Sequence, residues 1–198
     1  MKPKFIFDLS EVLIMGLLDI EKPLSPLVNM PENEILPCFG EELLQRICRG
    51  EISEDTYLQK IIEMRSWQIE LHVLKTIIRK NFHREVAGTQ TSLEHLLEQY
   101  EVILLSDHAI EWVSYIKEIH TFFDRFNKVF FSYELGSTKR VPETFKKVLQ
   151  QINCTAQDCW PVDDSVENIS VAASTGRNRI QFENADQLRT VLKENVLW

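Results

Sequence analysis

The sequence predicts an α/β fold in which helices flank a parallel sheet and a block of helices is inserted after the first strand. Five short runs are predicted as strands. Residues 4–7, 101–105, 129–131 and 159–162 are largely apolar, with the length and the β-branched and aromatic content of buried strands, and residues 178–182 form the last strand. Helical patterns separate the last four runs, whereas residues 16–86 contain only helical patterns. Strands that alternate with helices indicate right-handed βαβ units and therefore a parallel sheet.

The first strand and the helical block come first along the chain. The apolar run at residues 4–7 ends abruptly at the acid Asp8. Glycine and prolines interrupt residues 14–37, so turns and short helical pieces are expected there. Apolar residues at helical spacing then predict three longer helices. The first is closed by Gly50, the second begins at Ser53 as N-cap, and the third covers residues 69–78.

The second half of the chain alternates between the two kinds of element. Residues 91–94 (TSLE) have the form of a capping box, which predicts a helix from there to about Gln99. Pro142 suits the first turn of a later helix. Further helices are predicted around residues 112–119, through Ile169 and Ala172 to near Gly176, and from Asp186 to Val196.

Composition limits the classes of function. A chain of 198 residues suits one domain, or one core domain with a modest insertion. The net charge of −8 argues against a nucleic-acid partner, and no apolar stretch is long enough to span a membrane. The four cysteines lack metal-binding spacing, and an acid interrupts the amino-terminal apolar run, so no signal peptide is predicted. We therefore expect a cytoplasmic protein, monomeric or homodimeric, with reduced thiols.

Polar side chains follow several of the predicted strands. Asp8 follows the first strand, Ser106 the second, and the pair Asp163 and Asp164 the fourth, while Lys139 lies in a loop between them. Because the carboxyl ends of parallel strands meet at one edge of a sheet, these groups are expected to converge. Carboxylates from two strands suit Mg²⁺, which would let an anionic phosphate approach a carboxylate nucleophile. The set meets the needs of an aspartyl-phosphate mechanism, with lysine and serine to hold the phosphate.

Four stretches resemble the motifs of the haloacid dehalogenase (HAD) superfamily of phosphohydrolases, in the same order and across nearly the whole chain. They are residues 5–13 (FIFDLSEVL), 102–107 (VILLSD), 135–145 (LGSTKRVPETF) and 162–169 (VDDSVENI). The resemblance implies a Rossmann-like core formed by residues 1–15 and 87–198. It also implies a helical cap of the C1 type over residues 16–86. Residues 49–53 (RGEIS) and the pair Leu135-Gly136 are similar to a subgroup of bacterial sugar-phosphate phosphatases, the α-glucose-1-phosphatase-like enzymes.

The resemblance also implies roles for single residues. Asp8 would be the nucleophile, and Lys139 would neutralise charge. Ser106, Asp107 and Lys139 would bind the phosphate of a small phosphorylated substrate. Mg²⁺ would be held by Asp8, the main-chain carbonyl of Ser10, Asp163 and Asp164. The expected function is a Mg²⁺-dependent phosphatase for a small phosphorylated metabolite, with sugar phosphates among the candidates.

The sequence departs from the motifs at one important position. The family usually has a second aspartate two residues after the nucleophile, and Ser10 stands there instead. Loss of a general acid–base group typically costs on the order of 10²–10⁴ in rate. One interpretation is a substrate with a good leaving group, such as an anomeric hydroxyl or an acyl group. The other is a catalytically impaired protein with a phosphate-binding or regulatory role. His108 is interpreted as a surface histidine at a helix start, with a contact to the substrate or to Ser106 as the alternative. Glu11 is interpreted as a salt-bridge or cap contact.

Overall fold

The computed structural model describes residues 2–176, 178–195 and 197–198 and contains a five-stranded, fully parallel sheet. The strands are β1 (Lys4–Phe7), β2 (Glu101–Ser106), β3 (Lys128–Phe131), β4 (Cys159–Asp163) and β5 (Ile180–Gln181). Their spatial order is β3-β2-β1-β4-β5. The predicted α/β class and parallel sheet are thus confirmed, and β1 lies at the centre, where the strand order reverses.

Helices cover both faces of the sheet. Those between β1 and β2 are α1 (Glu21–Val28), α2 (Glu32–Ile35), α3 (Glu41–Cys48), α4 (Glu54–Arg65), α5 (Leu71–Phe82) and α6 (Thr89–Gln99). Those after β2 are α7 (Ile110–Ile119), α8 (Ser132–Leu135), α9 (Pro142–Gln151), α10 (Val166–Thr175) and α11 (Ala185–Glu194). Val196, the last residue of the final predicted helix, lies outside the described residues. None of the helices within the described ranges is long and apolar enough to cross a membrane.

The side chains of β1 alternate between two hydrophobic cores. Phe5 and Phe7 face a large core that the helices between residues 16 and 86 share. Ile6 faces a smaller core together with Phe145 of α9. Because successive side chains of a strand point to opposite faces, a run that is buried throughout is a strand covered on both faces. This burial fixes the register of β1 between its neighbours, in which Phe7 pairs with Leu104 on one side and Val162 on the other.

The helices between residues 16 and 86, called here the helical segment, begin and end largely as their sequence predicts. The Ser53 side chain accepts a hydrogen bond from the main-chain N–H of Thr56 at 3.2 Å, so the predicted N-cap of α4 is confirmed. Gly50 follows the end of α3 with φ +73°, a conformation that glycine adopts without strain. Outside the helical segment, Pro142 occupies the first turn of α9, also as predicted.

The helical segment packs against the core through α7. The Glu54 carboxylate, 1% exposed, accepts hydrogen bonds from the Trp112 indole at 3.1 Å and from the Arg79 guanidinium at 2.7 Å. The ring of Trp112 also contacts Tyr57 and Phe82 edge-on, with centroid distances of 5.9 Å for each. A buried charge with several partners is satisfied, so these contacts join α4 and α5 to α7.

The predicted start of α6 is wrong. The helix begins at Thr89, with Gly88 as N-cap at φ +80° and without a side-chain capping bond. Thr91 therefore lies inside the helix, and the capping box at residues 91–94 does not form. The left-handed glycine turns the chain into the helix earlier, because Val86 is already tied to Leu13 by a main-chain hydrogen bond of 3.0 Å.

Candidate active site

Three carboxylates converge where the central strands end. Asp8 follows β1, Asp163 is the last residue of β4, and Asp164 comes next; ligand atoms from all three lie within 4.8 Å of one another. Asp8 lies at this edge because its main-chain N–H donates to the Val162 carbonyl at 2.9 Å, which continues the hydrogen bonding between β1 and β4 by one residue. The sequence-predicted acids therefore meet at the point where the strand order reverses, which is where ligands bind in open α/β sheets.

Lys139 lies between two of these acids and is 2% exposed. Its Nζ is 2.7 Å from Asp8 Oδ2 and 2.6 Å from Asp163 Oδ2. The loop that carries it is held by the Asp107 carboxylate, whose two oxygens each accept the Lys139 main-chain N–H at 3.1 Å. Asp163 is held on its other side by the main-chain N–H of Ser165 at 2.9 Å and by the Asn168 amide.

The cluster is short of positive charge. Burial raises the pKa of Asp8 well above its ordinary value, and Asp163 and Asp164 raise it further, whereas Lys139 opposes the shift. Burial, with Asp163, raises the pKa of Asp164 to about 6. For Lys139 burial acts to lower the pKa, but Asp163 and Asp8 outweigh it and raise the pKa overall. One ammonium among these carboxylates leaves excess negative charge, which a divalent cation would balance.

The donor set suits a hard cation. Asp8, Asp163 and Asp164 offer only carboxylate oxygens, the ligand type that Mg²⁺ prefers. Asp163 and Asp8 are buried and Asp164 is partly exposed, so a cation here would keep access to water and to a ligand. The residues present therefore fit Mg²⁺.

A hydrogen-bonded chain of side chains lies beside the acids. His108 Nε2 is 3.3 Å from Ser10 Oγ, and His108 Nδ1 is 3.0 Å from Ser106 Oγ and 2.9 Å from the Asp107 carbonyl oxygen. His108 is only 3% exposed, so its interpretation as a surface histidine is wrong. The ring is buried by Phe82 and Trp112, at centroid distances of 6.1 and 6.0 Å. Burial lowers the pKa of His108 to about 4.

The alternative interpretation of His108, a contact with Ser106, agrees with the structure. Sequence reasoning favoured a surface position because the burial of His108 depends on aromatic residues distant in the chain. The available signal was its position two residues after the end of β2, with Trp112 one helical turn further on.

Glu11 makes a contact with the helical segment, as one of its two interpretations predicted. Its carboxylate accepts the main-chain N–H groups of Gly16 and Leu18, the latter at 2.9 Å.

A cavity of about 200 Å³ opens next to these groups. The core side is lined by Ser10, Asp107, His108, Arg140, Ser165 and Asn168, among others. The helical segment contributes a largely apolar wall of Leu17, Leu44, Gln45, Cys48 and Phe82. Ser106, by contrast, is fully buried, and its hydroxyl contacts the His108 ring. The structure thus brings the acids and Lys139 together, with Ser10 and Asp107 at the cavity wall and Ser106 one layer behind.

No family model matches the chain, but curated and solved proteins do. A D-ribitol-5-phosphate phosphatase of Bacteroides thetaiotaomicron is 23% identical over 156 residues, which cover 76% of each chain. A HAD family enzyme of the same organism was crystallised with magnesium and inorganic phosphate. It superposes with a TM-score of 0.72 at 22% identity, over 93% of this chain and 96% of its own.

A HAD-like hydrolase of Porphyromonas gingivalis gives a TM-score of 0.76 at 15% identity, over 99% of this chain and 98% of its own. At such identities the likeness concerns the fold, and it extends over the sheet and the helical segment alike. The fold that the four motifs implied is therefore confirmed: the chain has the fold of these HAD family structures.

Proposed function

We propose that the protein is a Mg²⁺-dependent phosphatase that hydrolyses a small phosphorylated metabolite through an aspartyl-phosphate on Asp8. The observation that carries the proposal is the contact of Asp8 with Lys139 at 2.7 Å, within a cluster that also contains Asp163 and Asp164. Carboxylates alone would repel a phosphate, whereas Lys139 together with a divalent cation would make the approach of an anion favourable.

Each residue of the site has a role in this proposal. Asp8 attacks phosphorus and displaces the leaving group, after which water hydrolyses the phosphoaspartate. Lys139 offsets the charge of the phosphoryl oxygens, and the main chain at Asp107 holds them. Ser106 is proposed to hold them as well, for which its buried hydroxyl would have to turn from His108 toward the cavity. Mg²⁺ would be held by Asp8, Asp163, Asp164 and the main-chain carbonyl of Ser10, and when bound it would neutralise charge on the phosphate.

The architecture supports a division into two units. We assign residues 1–15 and 87–198 to the core domain and the helical segment, residues 16–86, to a cap domain. All five strands belong to the first group, and Leu44, Gln45 and Phe82 of the second line the cavity. The cavity of about 200 Å³ favours a small substrate. A sugar phosphate is the first candidate, since the curated relative is a phosphatase of D-ribitol 5-phosphate.

The proposal includes a cytoplasmic location and a monomeric or homodimeric assembly. Each of the four cysteines is a free thiol, as expected in the reducing cytoplasm. A monomer or a homodimer remains the prediction for its assembly.

The proposal is tested by a screen of phosphorylated metabolites with Mg²⁺, using Asp8→Asn as the blank and release of inorganic phosphate as the readout. Release by the wild type that is absent from the variant supports the nucleophile. Equal release by both proteins refutes it.

Ser10 favours a second candidate, a catalytically impaired protein that binds phosphate or a phosphorylated ligand. Its hydroxyl is too weak an acid to protonate a poor leaving group well. Ser10→Asp separates the two candidates. A large gain in turnover supports impairment, whereas little change or a loss supports a mechanism adapted to serine and to a substrate with a good leaving group.

A further inference from the structure

The side chain of Ser10 is hydrogen-bonded to His108. Its Oγ lies 3.3 Å from His108 Nε2, and both residues line the cavity. Gly16 approaches the same hydroxyl so closely that a Cβ at that position would lie 2.7 Å from Ser10 Oγ. The serine hydroxyl therefore occupies a fitted position at the cavity wall.

The hydrogen bonds of the imidazole decide which way the serine proton points. His108 Nδ1 is 2.9 Å from the Asp107 main-chain oxygen, which can only accept, so Nδ1 carries the ring proton. In the neutral ring Nε2 then has a lone pair and accepts the proton of the Ser10 hydroxyl. The oxygen of Ser10 is thereby left as a hydrogen-bond acceptor toward the cavity.

The ring is held in this orientation from several sides. Phe82 and Trp112 pack against it, and its main-chain N–H donates to Ser132 Oγ at 3.1 Å. The Ser132 hydroxyl in turn donates to the Cys48 carbonyl at 2.6 Å. A side chain locked by packing and by hydrogen bonds at both ends is suited to orient a neighbouring group.

We propose that His108 is a positioning residue that holds Ser10 Oγ as the acceptor for the water that hydrolyses the phosphoaspartate. This inference rests on the proposed phosphatase function and deepens it. As a hydrogen-bond acceptor, Ser10 Oγ can orient a water molecule that donates to it. It has no proton to give to a leaving group, because its own proton is donated to His108. Ser10 and His108 therefore act in the second half-reaction rather than in the first.

The step balances without a change in the charge of the imidazole. The water oxygen bonds to phosphorus while the bond between phosphorus and Asp8 Oδ breaks. The carboxylate is restored, and both water protons leave on the product as dihydrogen phosphate. Ser10 and His108 thus orient the water and neither gains nor loses a proton overall.

The test uses p-nitrophenyl phosphate with Mg²⁺ and rapid-quench measurement of p-nitrophenol. His108→Phe and Ser10→Ala are each expected to give a burst of about one equivalent of nitrophenol per chain. A steady state slower than that of the wild type should follow, by on the order of 10²-fold, because the water is misplaced. His108→Gln, whose amide oxygen accepts a hydrogen bond, should restore part of the rate. His72→Phe, at an exposed position of α5, is the matched control.

The double variant separates positioning from structure. Ser10→Ala with His108→Phe should be no slower than the slower single variant, because the two residues act as one unit. Multiplied effects, or an equal loss of burst and steady state, overturn the inference and leave the phosphatase intact. If His108→Phe does not fold, Ser10→Ala alone decides by the presence or absence of its burst. A wild type that releases no more nitrophenol than Asp8→Asn refutes the phosphatase itself, and the inference with it.

Discussion

Replacing Lys139 by methionine should destabilise the protein in a way that depends on pH. The ammonium is 2% exposed and bridges two buried carboxylates, at 2.7 Å to Asp8 and 2.6 Å to Asp163. Removing one partner of a buried ion pair costs about 3–5 kcal/mol, because the other partner is left buried and unpaired. For a chain of this length, that corresponds to a fall in melting temperature of about 6–20 °C.

The raised pKa of Asp8 determines whether the destabilisation of Lys139→Met grows or shrinks as pH rises. In the wild type the pKa of Asp8 is already raised by burial, and loss of Lys139 raises it further. A carboxyl whose pKa is higher in the folded state than in the unfolded state loses stability as pH rises through the folded pKa. The destabilisation of Lys139→Met is therefore expected to be large at pH 8. It should be smaller near pH 5, because the raised pKa of Asp8 favours uptake of a proton there.

Thermal unfolding of Lys139→Met at both pH values checks this prediction, without added metal. Lys147→Met, at an exposed position of α9, is the matched control. Saturating Mg²⁺ should restore part of the loss, since a ligand at 100 times its Kd stabilises the folded state by about 2.7 kcal/mol. A melting temperature at pH 8 within about 2 °C of the control variant would mean that the buried bridge is absent in solution.

Three further predictions concern the metal, the cavity and the helical segment. Because burial raises the pKa of Asp164 to about 6, protons compete with the metal at low pH. Titration calorimetry should find Mg²⁺ affinity about tenfold weaker at pH 5 than at pH 8. Gly16→Ala should displace Ser10 and lower both kcat and the melting temperature, because a Cβ there would lie 2.7 Å from Ser10 Oγ and 2.8 Å from Ser10 Cβ. Ser53→Ala removes the cap bond to Thr56 and should cost about 1 kcal/mol in chemical denaturation.

The strands and the acid cluster were predictable because short-range patterns determine them. Residues 5–7 are apolar at every position, and a run that is buried on both faces is typical of the interior of a parallel sheet. Once the strands are parallel, the positions of Asp8 and Asp163 at their carboxyl ends bring the two acids to one edge. The meeting of these acids follows from the strand ends alone, without knowledge of loop geometry.

Other features depend on contacts between distant segments, which no local pattern shows. The start of α6 depends on a left-handed Gly88 and on the attachment of the preceding residues to the first strand. The burial of His108 depends on Phe82, which comes from the helical segment, and on Trp112 of α7. No local pattern in the sequence shows that Phe82 and Trp112 pack against the imidazole ring of His108.

Calorimetric titration of the wild type and of Asp8→Asn with Mg²⁺ tests the central claim most directly. The acid near the start of the chain and the acid pair near its end are expected to hold the same cation, since their oxygens lie within 4.8 Å of one another. We expect one Mg²⁺ per chain in the wild type and an affinity at least about tenfold weaker in Asp8→Asn. Equal affinity in the two proteins, or no binding by the wild type, would contradict it.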